Sequence, residues 1–414
     1  MRRSSRVRLF MLLGLAVLAA GVTAATTQAK TDGASSAHAQ QATSITFAHW
    51  NASAQELGAV RALIGAFNRT HPSIHVKEIT LDPYPQGMLA RFAARKPPDV
   101  FYVDSSVFPD WVKQGVLSPI GGNLKAKHFS TAKFYPRLLN GFRYKGQLYG
   151  IPKDWSPLAL EANTTMLAKA GVTVPKTWTQ LTAALQKLKA AGQAPMCLSI
   201  DLARILAFMY QNKGGFLNAS KTKAIVNTSA NAKAVGQYIS WIKNGLAQTP
   251  AQLGAGWCGE ALGKEKASII FEGNWVTDYM KTTFPAVHWG IFPMIHNKVR
   301  GNLGFTVSYS LAKDSKHKSQ AMTLIRYLGS QAGMRTWVRA SRFLPSRSDV
   351  SAPKGTATFL KEAPSTHAWQ FAPGFSSVLT TAGNELQAAY EGKESVATAL
   401  KNIQNAANDA LHHR

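Results

Sequence analysis

Apolar residues recur at two periods along this chain, and the alternation between them sets the architecture. Residues 45–50 alternate as a strand, 54–67 carry apolar positions at helical spacing, and Asn68 to Pro72 stop the helix. Residues 74–79 read as a second strand, 86–94 as a helix, and 100–103 as a short apolar strand behind Pro97, Pro98 and Asp99. Strands alternating with helices predict parallel βαβ units, hence an open α/β sheet. In such a sheet a ligand sits beyond the carboxyl ends of the strands, which points at Trp50 and Asp104.

The middle of the chain is more helical. Thr177 is an expected N-cap for a helix over 179–190, with Leu181, Leu185 and Leu188 on one face, and 230–244 predicts a second amphipathic helix ended by Gly245. Residues 267–271 form a short apolar strand that runs into Glu272, Gly273, Asn274 and Trp275. Alternation returns over 301–311, a helix is expected over 319–328, and after Pro345 a loop-rich stretch leads to helices over 384–390 and 396–411.

The amino terminus has a different pattern. Arg2, Arg3, Arg6 and Arg8 precede an uncharged apolar run over 9–20, and Ala37, His38 and Ala39 offer a small-residue cleavage site. This is the order of a secretory signal, so residues 1–39 are expected to be a signal peptide and tail; a retained membrane anchor is the alternative. No cysteine lies near the cleavage site, which argues against a lipid anchor. Export makes a bridge between the only cysteines, Cys197 and Cys258, a reasonable expectation, with two buried free thiols as the alternative.

Composition then narrows the class. The 414 residues are 45% hydrophobic, enough for a sizeable core and, at roughly 100–200 residues per domain, for two domains or a little more. Lys and Arg number 47 against 21 Asp and Glu, a formal charge of +26; the signal carries off only +4, which leaves +22. The basic residues are scattered and form no block beyond the signal, so nucleic acid is not an expected partner. The scarcity of carboxylates also predicts little loss of stability as pH falls.

Motifs for chemistry are sparse. Gly254, Gly256 and Gly259 have the G-x-G-x-x-G spacing but lack the preceding strand that a dinucleotide fingerprint requires. His71 and His75 are interrupted by Pro72, and no nucleophile elbow, zinc-protease helix or P-loop is present. Aromatics say more. Trp50, Trp155, Trp257, Trp275 and Trp369 read as loop or element-end residues beside Gly, Pro, Asn or acidic residues, where their faces suit the apolar face of a sugar ring. Trp111, Trp178, Trp241 and Trp337 read as core.

The order of short motifs resembles the extracellular solute-binding proteins of ATP-driven carbohydrate importers, the maltose-binding-protein-like family. Pro98–Val100 with Asp104, then Gly115, Val116, Leu117 and Pro119, is similar to the end of that family's first-lobe sheet. Gly146 to Pro152 resembles its lobe-crossing segment, Pro175 to Trp178 its "P-K-T-W" helix start, and Gly273, Asn274 and Trp275 its G-x-W. Asn163, the helix after Ser315, Phe343 to Pro345 and the last helix follow in family order. One departure is that Glu161 and Ala162 replace the usual aromatic pair before Asn163.

The resemblance implies a type II periplasmic-binding-protein fold: two α/β lobes, 44–151 plus 301–344 and 152–300 plus 345–411, each an open sheet flanked by helices, with several hinge crossings. It implies an exported monomer, in the periplasm or at the cell surface, that takes up a carbohydrate or polyol by closing and delivers it to a membrane permease. Neither a cofactor nor catalysis is implied. Trp275 becomes the expected stacking platform from the second lobe, faced by Trp50 and Asp104 from the first, with Asp154, Trp155 and Glu272 near the hinge or rim and Arg342 a polar contact from the last crossing. The aromatic pattern adds Trp257 to the expected ligand contacts. The competing readings are a secreted carbohydrate-active hydrolase and a basic protein that binds polyanions or surfaces.

Overall fold

The structure is a computed structural model that describes residues 42–50 and 53–412; the signal segment and its cleavage site lie outside the described residues. No described helix is long and apolar enough to cross a membrane.

Strand Thr43–His49 lies parallel to both Ile74–Thr80 and Val100–Asp104, as the alternation predicts. The helix between the first two, Ala54–Thr70, is started by the Ser53 hydroxyl accepting from the Glu56 amide, and buries Val60, Leu63, Ile64 and Phe67 on the sheet. An N-cap of this kind is worth about 1 kcal/mol. The next pairings in the sheet are antiparallel. Asn302–Leu311 runs antiparallel to Val100–Asp104 and to Gly150–Pro157, because both later strands are long crossings between two cores rather than βαβ returns. Leu344–Pro345 closes the order next to Gly150–Pro157, and Thr366–Ala368 adds to Asn302–Leu311.

Two large cores flank these crossings. The first gathers Phe47, Leu63, Phe67, Phe101, Leu324 and Trp337; the second gathers Leu185, Phe208, Trp241, Phe271, Leu386 and Ile403. Ile151 packs in the first core and Leu158 in the second, while the strand stays in the large sheet to Pro157. Leu303 likewise belongs to the second core and Val307 to the first, so this chain passage falls inside Asn302–Leu311.

The second core is built on a small antiparallel sheet, Ile269–Glu272, Ala159–Asn163 and Trp289–Phe292, with Ala159–Asn163 in the middle. Helix Trp178–Ala190 starts on Thr177, whose hydroxyl accepts from the Gln180 amide as expected. Helix Ser229–Lys243 is capped the same way by Thr228. Cys197 and Cys258 are joined by a disulfide that spans 61 residues of chain.

Two helices exceed the sequence expectation. Gln331–Ser341 was not expected, because its apolar stripe is only Met334, Trp337 and Val338 among polar and basic residues. Phe375–Glu391 begins well before residue 384. Its first turns hold Ser376, Ser377, Thr380 and Thr381, weak helix formers, but Phe375, Val378 and Ala382 are buried. Asp110 of the first core accepts from the amides of Gly374 and Ser376 and from the Ser376 hydroxyl, filling the role of a cap.

Candidate functional site

The parallel strands end at a cavity of about 430 Å³ between the two cores. Trp50 and Asp104, each placed by a strand terminus, line it together with Tyr84 and Trp369. The Trp50 ring stands edge-on against Tyr84 (5.2 Å between centroids) and Tyr102 (5.0 Å), which fixes its orientation. Tyr84 is itself anchored by its hydroxyl, which donates to the Tyr102 carbonyl (2.7 Å). The Asp104 carboxylate accepts from the Ser106 amide (2.8 Å) and hydroxyl (2.5 Å), and burial pushes its pKa upward against those bonds.

Trp369 comes from the second core. Its amide donates to the Gly304 carbonyl (2.8 Å), and its carbonyl accepts from Ser105 Oγ (2.8 Å), a hydrogen bond across the cleft. The indole packs on Phe371 (4.8 Å) and Phe305 (6.0 Å), and Phe305 in turn meets Trp275 (5.6 Å). An aromatic row thus leads from the cavity toward Trp275.

Trp275 opens helix Trp275–Thr283, and its ring folds back over Gly273: a Cβ there would stand 2.2 Å from the indole. Glu272, the last residue of its strand, accepts from the Trp275 indole nitrogen (3.0 Å) and from Arg204 Nη2 (2.5 Å). The Arg204 guanidinium also lies over the Trp275 ring at 5.9 Å. Burial raises the pKa of Glu272, opposed by Arg204. Glu161 accepts from the Glu272 amide (2.9 Å) and is fully buried, and burial together with the nearby Glu272 raises its pKa. The segment with the unusual Glu161 and Ala162 is therefore interior, not pocket wall.

The other expected residues are placed differently. Trp155 lies inside strand Gly150–Pro157 rather than at an element end, and packs with Ala159, Leu344 and Phe359. Asp154 is buried with Lys153, whose ammonium also holds Glu56 (2.8 Å; 3.1 Å to Asp154). Lys153 sits 4.2 Å from the Trp337 ring centroid and 4.5 Å from Tyr102, in a cage of aromatic faces. Burial alone would lower the Lys153 pKa, but Asp154 and Glu56 outweigh it and hold the ammonium charged. Burial pushes Asp154 upward.

Trp257 stands apart from the cleft. It precedes the short helix Cys258–Gly263, covers Gly259, and packs on Tyr279 (4.8 Å) in the cluster that holds the disulfide. Gly259, the last glycine of the G-x-G-x-x-G spacing, is thus small to admit this ring. Arg342 adopts a left-handed backbone (φ 59°) at the end of helix Gln331–Ser341 and faces Asp278 at 3.4 Å on helix Trp275–Thr283, bridging first and second lobes. Burial pushes Asp278 up to about 6 in spite of Arg342.

Tyr84, Lys153, Glu56 and Arg204 are additions that sequence reasoning missed. Arg204 lies in helix Leu202–Gln211, which is capped by Asp201 and was not expected from the sequence, and nothing local distinguishes this arginine from a solvated one; its role comes from Glu272, distant in sequence.

The arrangement offers aromatic faces from both lobes, a carboxylate acceptor between them and no activated nucleophile, which suits noncovalent capture of a ring with apolar faces and a polar edge. Comparison with known proteins agrees in kind. The "Multiple sugar-binding protein" of Streptococcus mutans is 21% identical over 324 residues, 71% of this chain and 73% of that protein. An ABC substrate-binding protein from Listeria monocytogenes, solved in complex with cycloalternan, superposes with a TM-score of 0.83 at 19% identity, over 90% of this chain and 100% of that one. The GacH receptor of Streptomyces glaucescens, solved unliganded and with acarbose, gives 0.81 at 20% identity, over 90% and 99%. These likenesses establish the two-lobed fold. Residues 51–335 match the family described as bacterial extracellular solute-binding protein, and the chain belongs to that family.

Proposed function

We propose that this protein is the extracytoplasmic binding component of an ABC importer that captures a sugar, oligosaccharide or polyol between its lobes and presents it to a membrane permease. The observation that carries this reading is the pair Trp50 and Trp369, one from each core, lining one cavity with Asp104. Indole faces cover the apolar face of a pyranose, and the carboxylate accepts from its hydroxyls. Because the two aromatics belong to different lobes, a ligand touching both favours the closed arrangement, and its binding energy shifts the population toward closure. The relatives, a multiple sugar-binding protein and binding proteins solved with cycloalternan or acarbose, support the same ligand class.

The basic, apolar and small-residue order of residues 1–39 supports export. Capture and release break no bond in the ligand, so catalysis has no part in the cycle. Calorimetric titration tests this. An oligosaccharide or polyol that binds the intact protein is expected to bind Trp50→Ala and Trp369→Ala about ten- to a hundredfold more weakly, with no product found by chromatography. Unchanged affinity in both variants, or turnover, would exclude the reading.

A further inference from the structure

A basic surface lies on the second core, away from the cleft. Helices Trp178–Ala190 and Ser229–Lys243 contain no Asp or Glu between them. Three depressions of about 810, 410 and 480 Å³ run along them and join into one surface: the first shares Ala183 with the second, and Gln186 and Gln237 with the third. Five exposed lysines line the three, Lys176, Lys187, Lys189, Lys233 and Lys298, and no carboxylate does. Among the described residues none of these lysines is ion-paired; Lys189 donates to the Asn244 carbonyl (3.2 Å).

The floor is complete in itself. The Trp178 indole donates to Gln211 (2.6 Å) and that of Trp241 to Thr182 (2.9 Å), so the groove has no buried donor that awaits a small ligand. What it offers outward is positive charge on flexible stems, interleaved with amide and hydroxyl groups. No residue of this surface borders the cavity of Trp50 and Trp369.

We propose that this groove docks a linear, phosphate-bearing polyanion. Five uncompensated ammonium groups spread over the joined depressions, Lys176, Lys187 and Lys189 in or beside helix Trp178–Ala190 (13 residues, about 20 Å), Lys233 on helix Ser229–Lys243 and Lys298 in a loop, match a chain of repeating anions rather than one. The concave shape favours a strand that enters the groove over a flat bilayer that would rest on its edges. Such docking would hold an exported protein at an anionic surface polymer while the cleft stays open to solute, and it stands whether or not the cleft binds carbohydrate.

The test is titration of the full chain with fluorescently labelled long-chain inorganic polyphosphate at several salt concentrations. With five contacts, the slope of log affinity against log salt is expected near about −3.5, taking about −0.7 per neutralised phosphate of a single strand. Replacing four lysines, Lys187→Gln, Lys189→Gln, Lys233→Gln and Lys298→Gln, should reduce the slope to about −0.7 and weaken binding at least about tenfold. A control with Lys77→Gln, Lys96→Gln, Lys125→Gln and Lys127→Gln, four exposed lysines of the first lobe, should keep the slope and affinity of the unmodified protein. If the four-lysine variant fails to fold by circular dichroism, Lys233→Gln with Lys298→Gln gives the same reading with a smaller change in slope.

Equal loss in the groove and control variants would mean diffuse charge and would overturn the proposal. Displacement by orthophosphate at equal phosphate concentration, tighter binding to phosphatidylglycerol vesicles than to polyphosphate, or no binding at all would overturn it too.

Discussion

Lys153 is the residue on which the hinge region depends most. Its ammonium is buried with two carboxylates and several aromatic faces on a strand that crosses between the cores. Lys153→Met removes the cation and leaves Glu56 and Asp154 in a low-dielectric interior, a change that costs about 3–5 kcal/mol. Urea denaturation should show this loss, and adding Glu56→Gln to Lys153→Met should restore part of it; a single variant as stable as the unmodified protein would refute the assignment. The sequence hid this cluster for a physical reason. Lys153, Asp154 and Ser156 break the apolar pattern that marks a buried strand, so Trp155 reads as an element-end aromatic although the whole strand is buried. Trp50 and Asp104 were legible because a strand end fixes a residue's place without knowledge of its partners. Arg204 was not, since its partner Glu272 lies far along the chain.

At the level of elements, caps and periodicity were read well where they are local. Thr177 and the face Leu181, Leu185 and Leu188 needed only their neighbours in sequence. Helix Phe375–Glu391 needed Asp110 from the other core, and the antiparallel course of Asn302–Leu311 needed knowledge that it crosses between lobes. The same dependence governs the contact between helix Trp275–Thr283 and the end of Gln331–Ser341. There Arg342 faces Asp278, and burial sets the Asp278 pKa at about 6 while Arg342 holds it down. Removing the guanidinium by Arg342→Ala should raise the Asp278 midpoint further in a carbon-13 carboxyl titration; an unchanged or lower midpoint would show that the ion pair is not formed in solution. Because the folded pKa lies above the unfolded one, Asp278 is most favourable to the fold below about pH 4. Its contribution is lost as pH rises through about 6.

For the whole molecule, the excess of 47 basic over 21 acidic residues takes on a different meaning once the carboxylates are located. Burial raises Asp104, Asp154, Glu161, Glu272 and Asp278, so these groups favour the fold when protonated. His49 acts in the opposite sense: its lowered pKa means that stability present above about 6.5 is lost as pH falls. His367 acts like His49, and hydrogen bonds hold Asp99, Glu260, Asp349 and Glu391 low, so their share is also lost in acid. With the five raised carboxylates set against these groups, thermal unfolding at pH 3 should remain close to that at pH 7; a large drop at pH 3 would contradict this balance. The charge thus bears on where the protein is stable and on the proposed outer groove, and little on the ligand, which in the proposed reading is held by Trp50 and Trp369. The most direct test of that claim is the melting temperature measured against a panel of mono-, di- and oligosaccharides, polyols and sugar phosphates, beside amino acids, peptides and metal ions. At least one carbohydrate or polyol should raise it by several degrees, and Trp50→Ala should abolish the shift. A shift produced by amino acids, peptides or metal ions and by no carbohydrate would contradict the account.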